Sequence, residues 1–326
     1  MTIDALPAEA TVRSTVTHRR STPRGSVIEP VFEGLCFGAA TALLAALGGV
    51  LISLLIGGWP AISKFGFGFL TEVTWDPVRD IYGAAGPIVG TLITSILALA
   101  MSLPIAGGVA FFLVELCPAF LRRPIGTAVE LLAGIPSIVY GMWGLFVFAP
   151  FFAQHIEAPL MAAAPTGTIW ETLLSGIPNG SGILAASMIL AIMILPFMAA
   201  TLRELLMTVP VQVRESAYGL GATTGEVVMM VTLPYIQRGA VGAVMLGLGR
   251  ALGETMAVTF IIGNSHGFPK GLFDAGSTIA STIANEFNEA SGLQSAALIA
   301  LGLVLFLITF VVLALARLLL RNQARL

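Results

Sequence analysis

Charge is what this sequence lacks. Lysine, arginine, aspartate and glutamate make up 10% of its 326 residues, where a soluble domain carries about 25%. A soluble fold of this size could not cover its surface with so little charge. That excludes an ordinary soluble enzyme and a disordered chain. The net charge is -2 and the pI about 5.9, so no basic face steers nucleic acid. Lysine is scarcer still: Lys64 and Lys270 are the only two, and neither stands in G-x-x-x-x-G-K-[ST], so the sequence carries no P-loop. Two cysteines, Cys36 and Cys117, cannot build a disulfide scaffold. His18, His155 and His266 lie in separate segments, no Cys/His cluster has zinc spacing, and no G-x-S-x-G elbow occurs. What is abundant is apolar: 56% of residues are hydrophobic and the mean hydropathy is +0.93. The composition points to a polytopic membrane protein with no cofactor of its own.

A transmembrane helix needs about 20 apolar residues. Such runs occur six times and place spans at 33–57, 84–114, 129–153, 182–203, 238–263 and 292–320. The runs are continuous rather than alternating, which selects helices over barrel strands. The fold class is therefore all-α, with six transmembrane helices. Pro104 and Pro196 are expected to kink the second and fourth spans.

The few basic residues set a topology. An even number of spans puts both termini on one side. That side holds twelve arginines: Arg13, Arg19, Arg20, Arg24, Arg122, Arg123, Arg203, Arg214, Arg238, Arg317, Arg321 and Arg325. The other side holds Lys64, Arg79 and Lys270, and Arg250 lies inside a span. The positive-inside rule makes both termini cytoplasmic, with Cys36 and Cys117 near that face, where thiols stay reduced. Residues 1–30 are polar, Ser/Thr-rich and lack an apolar core, so they read as a disordered cytoplasmic tail rather than a cleaved signal. Trp59 and Trp75 suit an outer aromatic belt. Glu115 and Glu130 read as surface charges near the inner face.

Two constellations stand out. The first is the cytoplasmic loop 203–238, which contains Glu215-Ser216-Ala217, then Gly221, then Val231-Thr232-Leu233-Pro234. Residues 211–220 can form a short helix, Gly221 can turn the backbone, and residues 225–232 can form a second helix that Pro234 ends. Small Ala217 permits close approach to another surface. The plainer alternative is a solvated connector.

The second constellation is Gly249-Arg250-Ala251-Leu252-Gly253-Glu254 in the fifth span. Arg250 lies about 16 Å along a helix from Gly239, roughly mid-membrane, at an insertion cost of about 2.5–3.5 kcal/mol. On a continuous helix, Arg250 and Glu254 share a face. Such a pair is either a structural lock or a solute site in which Arg250 receives an anion and Glu254 holds and moderates it. Gly249 and Gly253 would let a neighbouring helix approach. Ser137 and Tyr140 in the third span could offer hydroxyls to a pathway, or bond nearby backbone.

The loop resembles the E-A-A-x3-G-x9-I-x-L-P motif of ABC importer permeases, with Ser for one Ala and Val for Ile. Three further stretches, TWDPVRDIYGAAGPIVGTL at 74–92, GIPSIVYG at 134–141 and GRALGETMAV at 249–258, make the chain similar to PstC-type permease subunits of phosphate-specific ABC importers. The resemblance implies a type I importer fold in the plasma membrane of a bacterium. It implies a PstA-type second permease, two PstB-type ATPase subunits that bind ATP and magnesium, and a PstS-type extracytoplasmic phosphate-binding protein. It carries Glu215, Ala217, Gly221, Leu233 and Pro234 over as an ATPase-coupling loop. It carries Arg250 and Glu254 over as the pathway residues for inorganic phosphate. A sulfate or molybdate permease would share the loop motif. An ion-coupled secondary transporter is a third reading, against which no repeat of the first three spans is visible in the last three. A membrane enzyme is the remotest reading, since no catalytic groups converge.

Overall fold

The computed structural model describes residues 28–165 and 167–323. The tail read at 1–30 lies outside the described residues except for its last three. The chain divides between Leu51 and Ile52. Among the described residues, the first unit is the start of one long helix, α1 (Ile28–Phe65), and the second holds all the rest.

Helices follow in chain order as α2 (Ala85–Leu116), α3 (Ala119–Ala133), α4 (Ser137–Ala163), α5 (Ile183–Met207), α6 (Val211–Gly219), α7 (Thr224–Leu252), α8 (Met256–Ile261), α9 (Ile279–Glu286) and α10 (Gly292–Gln323). Six of them, α1, α2, α4, α5, α7 and α10, are long and apolar enough to cross a membrane. A two-stranded antiparallel hairpin, β1 (Trp75–Asp76) and β2 (Ile81–Tyr82), precedes α2.

The centre of the second unit is α5, whose most apolar window is 67% buried against 28% in α2 and α4. It packs along α2, whose buried face is a stripe of small residues: Ser95, Ala98, Ser102, Ala106 and Ala110. Small side chains bring two backbones close, and dispersion rather than water exclusion then holds helices together in lipid. The hydroxyl of Ser102 reaches the Met198 sulfur at 3.6 Å across this seam.

Two spans depart from the ranges expected from hydropathy. The apolar run at 129–153 is broken at Gly134-Ile135-Pro136, so its first residues belong to α3 and the span proper is α4. The run at 238–263 is broken at residues 253–255, between α7 and α8. The missing N–H of Pro136 cannot continue a helix, and Pro136 takes an extended ψ of 138°. Pro234 does the opposite of what was expected: it lies within α7, which runs through it. The second elbow helix is therefore the first two turns of α7.

A wide turn makes room for Pro234. The i→i+5 segment Val228–Thr232 ends two residues before it, and Leu233 N–H donates to Val228 O. The same device recurs before Pro150 and Pro159, at Gly144–Phe148 and Ala153–Glu157, and a widened turn at Phe112–Leu116 ends α2 before Pro118. A proline ring clashes with the carbonyl four residues back, and one widened turn moves that carbonyl aside. Pro104 and Pro196 lie inside α2 and α5 without such a turn.

Trp75 is not a belt residue. It is 9% exposed and packs edge-on to Tyr82 at the base of the hairpin, whereas Trp59 is 63% exposed.

Candidate functional site

The two helix breaks fall in the two stretches GIPSIVYG and GRALGETMAV, and the fold brings them together. The first turns of α4 cross α8 at Gly141. A Cβ there would sit 2.8 Å from Phe260 Cδ2 and 3.0 Å from Ala257 Cα. The second contact is backbone, so only glycine allows this approach. Replacing Gly141 with Val is expected to force the helices apart and cost about 1–3 kcal/mol, read as a lower thermal midpoint of the purified protein.

At the first break, Tyr140 Oη donates to Leu132 O at 3.1 Å. Leu132 O also accepts from Ile135 N–H at 3.3 Å, so the tyrosine adds a second bond at the end of α3. Ser137 is the first residue of α4 and is half-buried. At the second break, Gly253 N–H donates to Gly249 O at 3.3 Å and closes α7. Nothing approaches a Cβ at Gly249, and only Gly249 O approaches one at Gly253. Among the described residues no other helix of this chain packs on these two glycines, and Gly253 ends α7.

This break changes the expected geometry of the charged residues. Arg250 lies in the last turn of α7, where a cation complements the helix dipole. Glu254 lies past the end of that helix, so the two do not share one helical face. Among the described residues Arg250 makes no ion pair. Its guanidinium carbon lies 5.7 Å from the centroid of the Phe197 ring on α5, within cation–π range. The Glu254 carboxylate instead accepts from Ala257 N–H at 3.3 Å, capping the start of α8. Arg250 is exposed and Glu254 half-buried. The result is a guanidinium resting on an aromatic face, with its planar fork of donors open to an oxyanion.

The elbow stands at the other end of α7. Helix α6 ends at Gly219, and Gly221 takes φ +88°, a left-handed conformation that glycine adopts without strain. Thr223 and Glu226 then form a reciprocal capping box that starts α7: Glu226 Oε2 accepts from Thr223 N–H at 2.8 Å, and Glu226 N–H donates to Thr223 Oγ1 at 3.4 Å. Glu215, Gly221, Leu233 and Pro234 are exposed and Ala217 half-buried. Around them Leu220 (90%), Met230 (75%) and Met229 (68%) are open to solvent. Contiguous exposed apolar side chains of this kind mark a protein contact surface.

Sequence reasoning missed how the elbow is tied down. Glu115, expected at the surface, is mostly buried: its side chain is 10% exposed and pairs with Arg214 of α6 at 2.5 Å. This joins the elbow to the widened last turn of α2. A second pair, Arg203–Glu130 at 2.8 Å, joins α5 to α3, with Glu130 remaining 54% exposed. The partners are 99 and 73 residues apart, beyond the reach of any local pattern. Phe197 beneath Arg250 likewise had no signal of its own.

Comparison with known proteins gives the family of the chain. Residues 116–325 match the family described as binding-protein-dependent transport system inner membrane component. The chain is 55% identical to a phosphate transport system permease protein PstC of Pasteurella multocida, over 90% of this chain and 92% of that one. It is 53% identical to the PstC of Haemophilus influenzae, over 91% and 94%, and 50% identical to that of Mesorhizobium japonicum, over 99% and 98%. In fold it is similar to an inward-facing structure of the MetNI methionine ABC transporter, with a TM-score of 0.52 at 17% identity over 75% of this chain and 94% of that one. The six apolar helices, the elbow and these relatives lead to one conclusion: the chain is a multi-pass membrane protein that belongs to the binding-protein-dependent transport system inner membrane components, among the PstC-type permeases.

Proposed function

We propose that this chain is the membrane permease subunit of an ATP-driven inorganic phosphate importer, forming half of the translocation pathway. The likeness to PstC proteins over nine-tenths of the chain supports the transport role. The observation that carries the substrate class is Arg250: an exposed guanidinium with no ion-pair partner among the described residues, at the end of a broken membrane helix. An unpaired charge at such a depth is costly and marks a solute path.

The chain acts with a second permease of PstA type, two ATPase subunits of PstB type and an extracytoplasmic phosphate-binding protein of PstS type. It sits in the bacterial plasma membrane with both termini cytoplasmic, on the strength of its twelve-to-three arginine and lysine asymmetry. It performs no covalent chemistry and needs no cofactor; ATP and magnesium are bound by the ATPase subunits. Docked binding protein releases phosphate into a cavity between the permeases. There Arg250 receives the anion through its planar fork of donors. Glu254, at the start of α8, supplies a negative charge that keeps the anion from being held too tightly to leave. Ser137 and Tyr140 stand on the opposing helix. ATP-driven closure of the ATPase dimer moves the elbow centred on Gly221, with Glu215, Ala217, Leu233 and Pro234 in the coupling surface, and the spans open to one side at a time.

The test is uptake into proteoliposomes holding the four kinds of subunit. Labelled phosphate is expected to accumulate only with internal ATP and the binding protein present. Full-rate entry without ATP would refute the importer reading. Preferential uptake of sulfate or molybdate would refute phosphate as the substrate.

A further inference from the structure

The hairpin before α2 is held more firmly than its size requires. Trp75 Nε1 donates to Glu286 Oε2 at 2.9 Å, and Gln294 Nε2 donates to the same oxygen at 2.9 Å. His266 Nε2 lies 2.8 Å from Glu286 Oε1, and the His266 ring stacks on Trp75 at 5.6 Å. One carboxylate thus joins the hairpin, the 263–276 loop, α9 and α10. Burial raises the pKa of Glu286, but the bonds from His266, Gln294 and Trp75 outweigh it and hold the group below the ordinary carboxylate value. The anchor is therefore intact at neutral pH and is lost only as pH falls through that lowered value.

The turn is ordered as well. Asp76 Oδ1 accepts from Val78 N–H at 2.9 Å and from Arg79 N–H at 3.2 Å, and Lys64 Nζ donates to Asp80 O at 3.4 Å. Yet the tip packs on nothing. Val78 is 94% exposed, and the Arg79 side chain is 78% exposed with one loose contact to Asp76 at 3.5 Å. An apolar side chain on an ordered, solvent-facing tip gains no burial within the chain and is free to be covered by a second protein. The loop that carries His266 also forms a cavity of about 320 Å³ with Asn179, Ser181, Ser265, Phe268 and Lys270 on its wall. The stacking of His266 on Trp75 ties the base of the hairpin to the loop that walls this recess, and a protrusion joined to a recess is a surface a folded protein can fit.

Its place selects the partner. The hairpin and the elbow end lie at opposite ends of α2, a 32-residue helix about 48 Å long, longer than the roughly 30 Å hydrocarbon core. The tip thus stands in water on the side away from the ATPase elbow, and the family this chain belongs to is defined by dependence on a binding protein. We propose that the Val78–Arg79 tip and the adjoining cavity are a docking surface for the extracytoplasmic binding protein, with Val78 entering an apolar depression and Arg79 meeting a carboxylate. This rests on the importer reading above and extends it to named residues.

The test is ATPase activity of the complete complex in nanodiscs, titrated with phosphate-loaded binding protein and scaled to each variant's own unstimulated rate. Val78→Asp and Arg79→Glu are expected to raise the half-stimulating concentration about tenfold each, the size of a lost interface anchor. Trp75→Phe, which keeps the ring and removes its bond to Glu286, is expected to raise it a few-fold by loosening the hairpin. A photo-cross-linker at position 78 should capture the binding protein. Titrations of the two tip variants that superimpose on wild type, or cross-links to the second permease instead, would overturn the docking surface alone. A wild-type complex that binding protein does not stimulate would overturn the importer reading together with it.

Discussion

Replacing Arg250 with Ala is expected to cut phosphate uptake by one to two orders of magnitude while the complex still assembles and hydrolyses ATP. A charge-assisted bond to an ionised ligand is worth about 1.5–3 kcal/mol, which converts to roughly a ten- to hundred-fold loss. Arg250→Lys should recover only part of it, because an ammonium keeps the charge but not the planar fork or the stacking on Phe197. The broken helix sharpens what to expect of Glu254. If it were the direct partner of Arg250, Glu254→Gln and Glu254→Ala would be equally damaging. In the observed geometry its carboxylate caps α8 through Ala257 N–H. Gln preserves that acceptor and removes only the charge, so it should slow turnover several-fold, whereas Ala should also loosen α8 and lower the thermal midpoint. Uptake measured beside ATPase activity and thermal stability separates these outcomes. Wild-type uptake by Arg250→Ala at normal expression would remove Arg250 from the pathway.

Reversing one charge of the Arg214–Glu115 pair is expected to uncouple ATP hydrolysis from transport. The pair joins the elbow helix to the end of α2, and its side chains are 17% and 10% exposed. Breaking a pair this buried leaves one charge without a partner, at a cost of a few kcal/mol, and frees α6 from the span it should pull. Glu115→Arg and Arg214→Glu should each cut phosphate moved per ATP at least about tenfold. The double exchange restores opposite charges at the same place and should recover much of the loss, as coupled sites do in a double-mutant cycle. A double variant no better than either single one would show that the pair does not transmit the elbow's motion. The Arg203–Glu130 pair, with Glu130 54% exposed, should matter much less, as exposed pairs do.

How much of this was legible beforehand differs residue by residue. The turn of the elbow was, because its chemistry is local: Gly221 turns the chain at φ +88°. The end of its second helix was not, since α7 runs on through Pro234, and the Thr223–Glu226 cap that starts this helix was missed. Arg250 was legible as an anomaly because lipid makes any central charge conspicuous. Its relation to Glu254 was not. A four-residue spacing means a shared face only if the helix continues, and Gly253 and Pro136 are residues that membrane helices can either absorb or break at. Pro104 and Pro234 lie within helices while Pro136 stands at a break, so the residue type alone does not decide.

The sequence by itself determined the number of spans, since about 20 apolar residues are needed to cross a bilayer and six runs supply them. It also determined the turn of the elbow at Gly221, and it singled out the one arginine that lipid should least tolerate. Tertiary structure decided where the third and fifth apolar runs break, that Arg250 rests on Phe197, and that Glu115 and Glu286 are anchors. The physical reason is range. Hydropathy and turn chemistry act between neighbours in sequence, whereas Trp75 meets Glu286 across 211 residues, and such a contact exists only once the helices have packed.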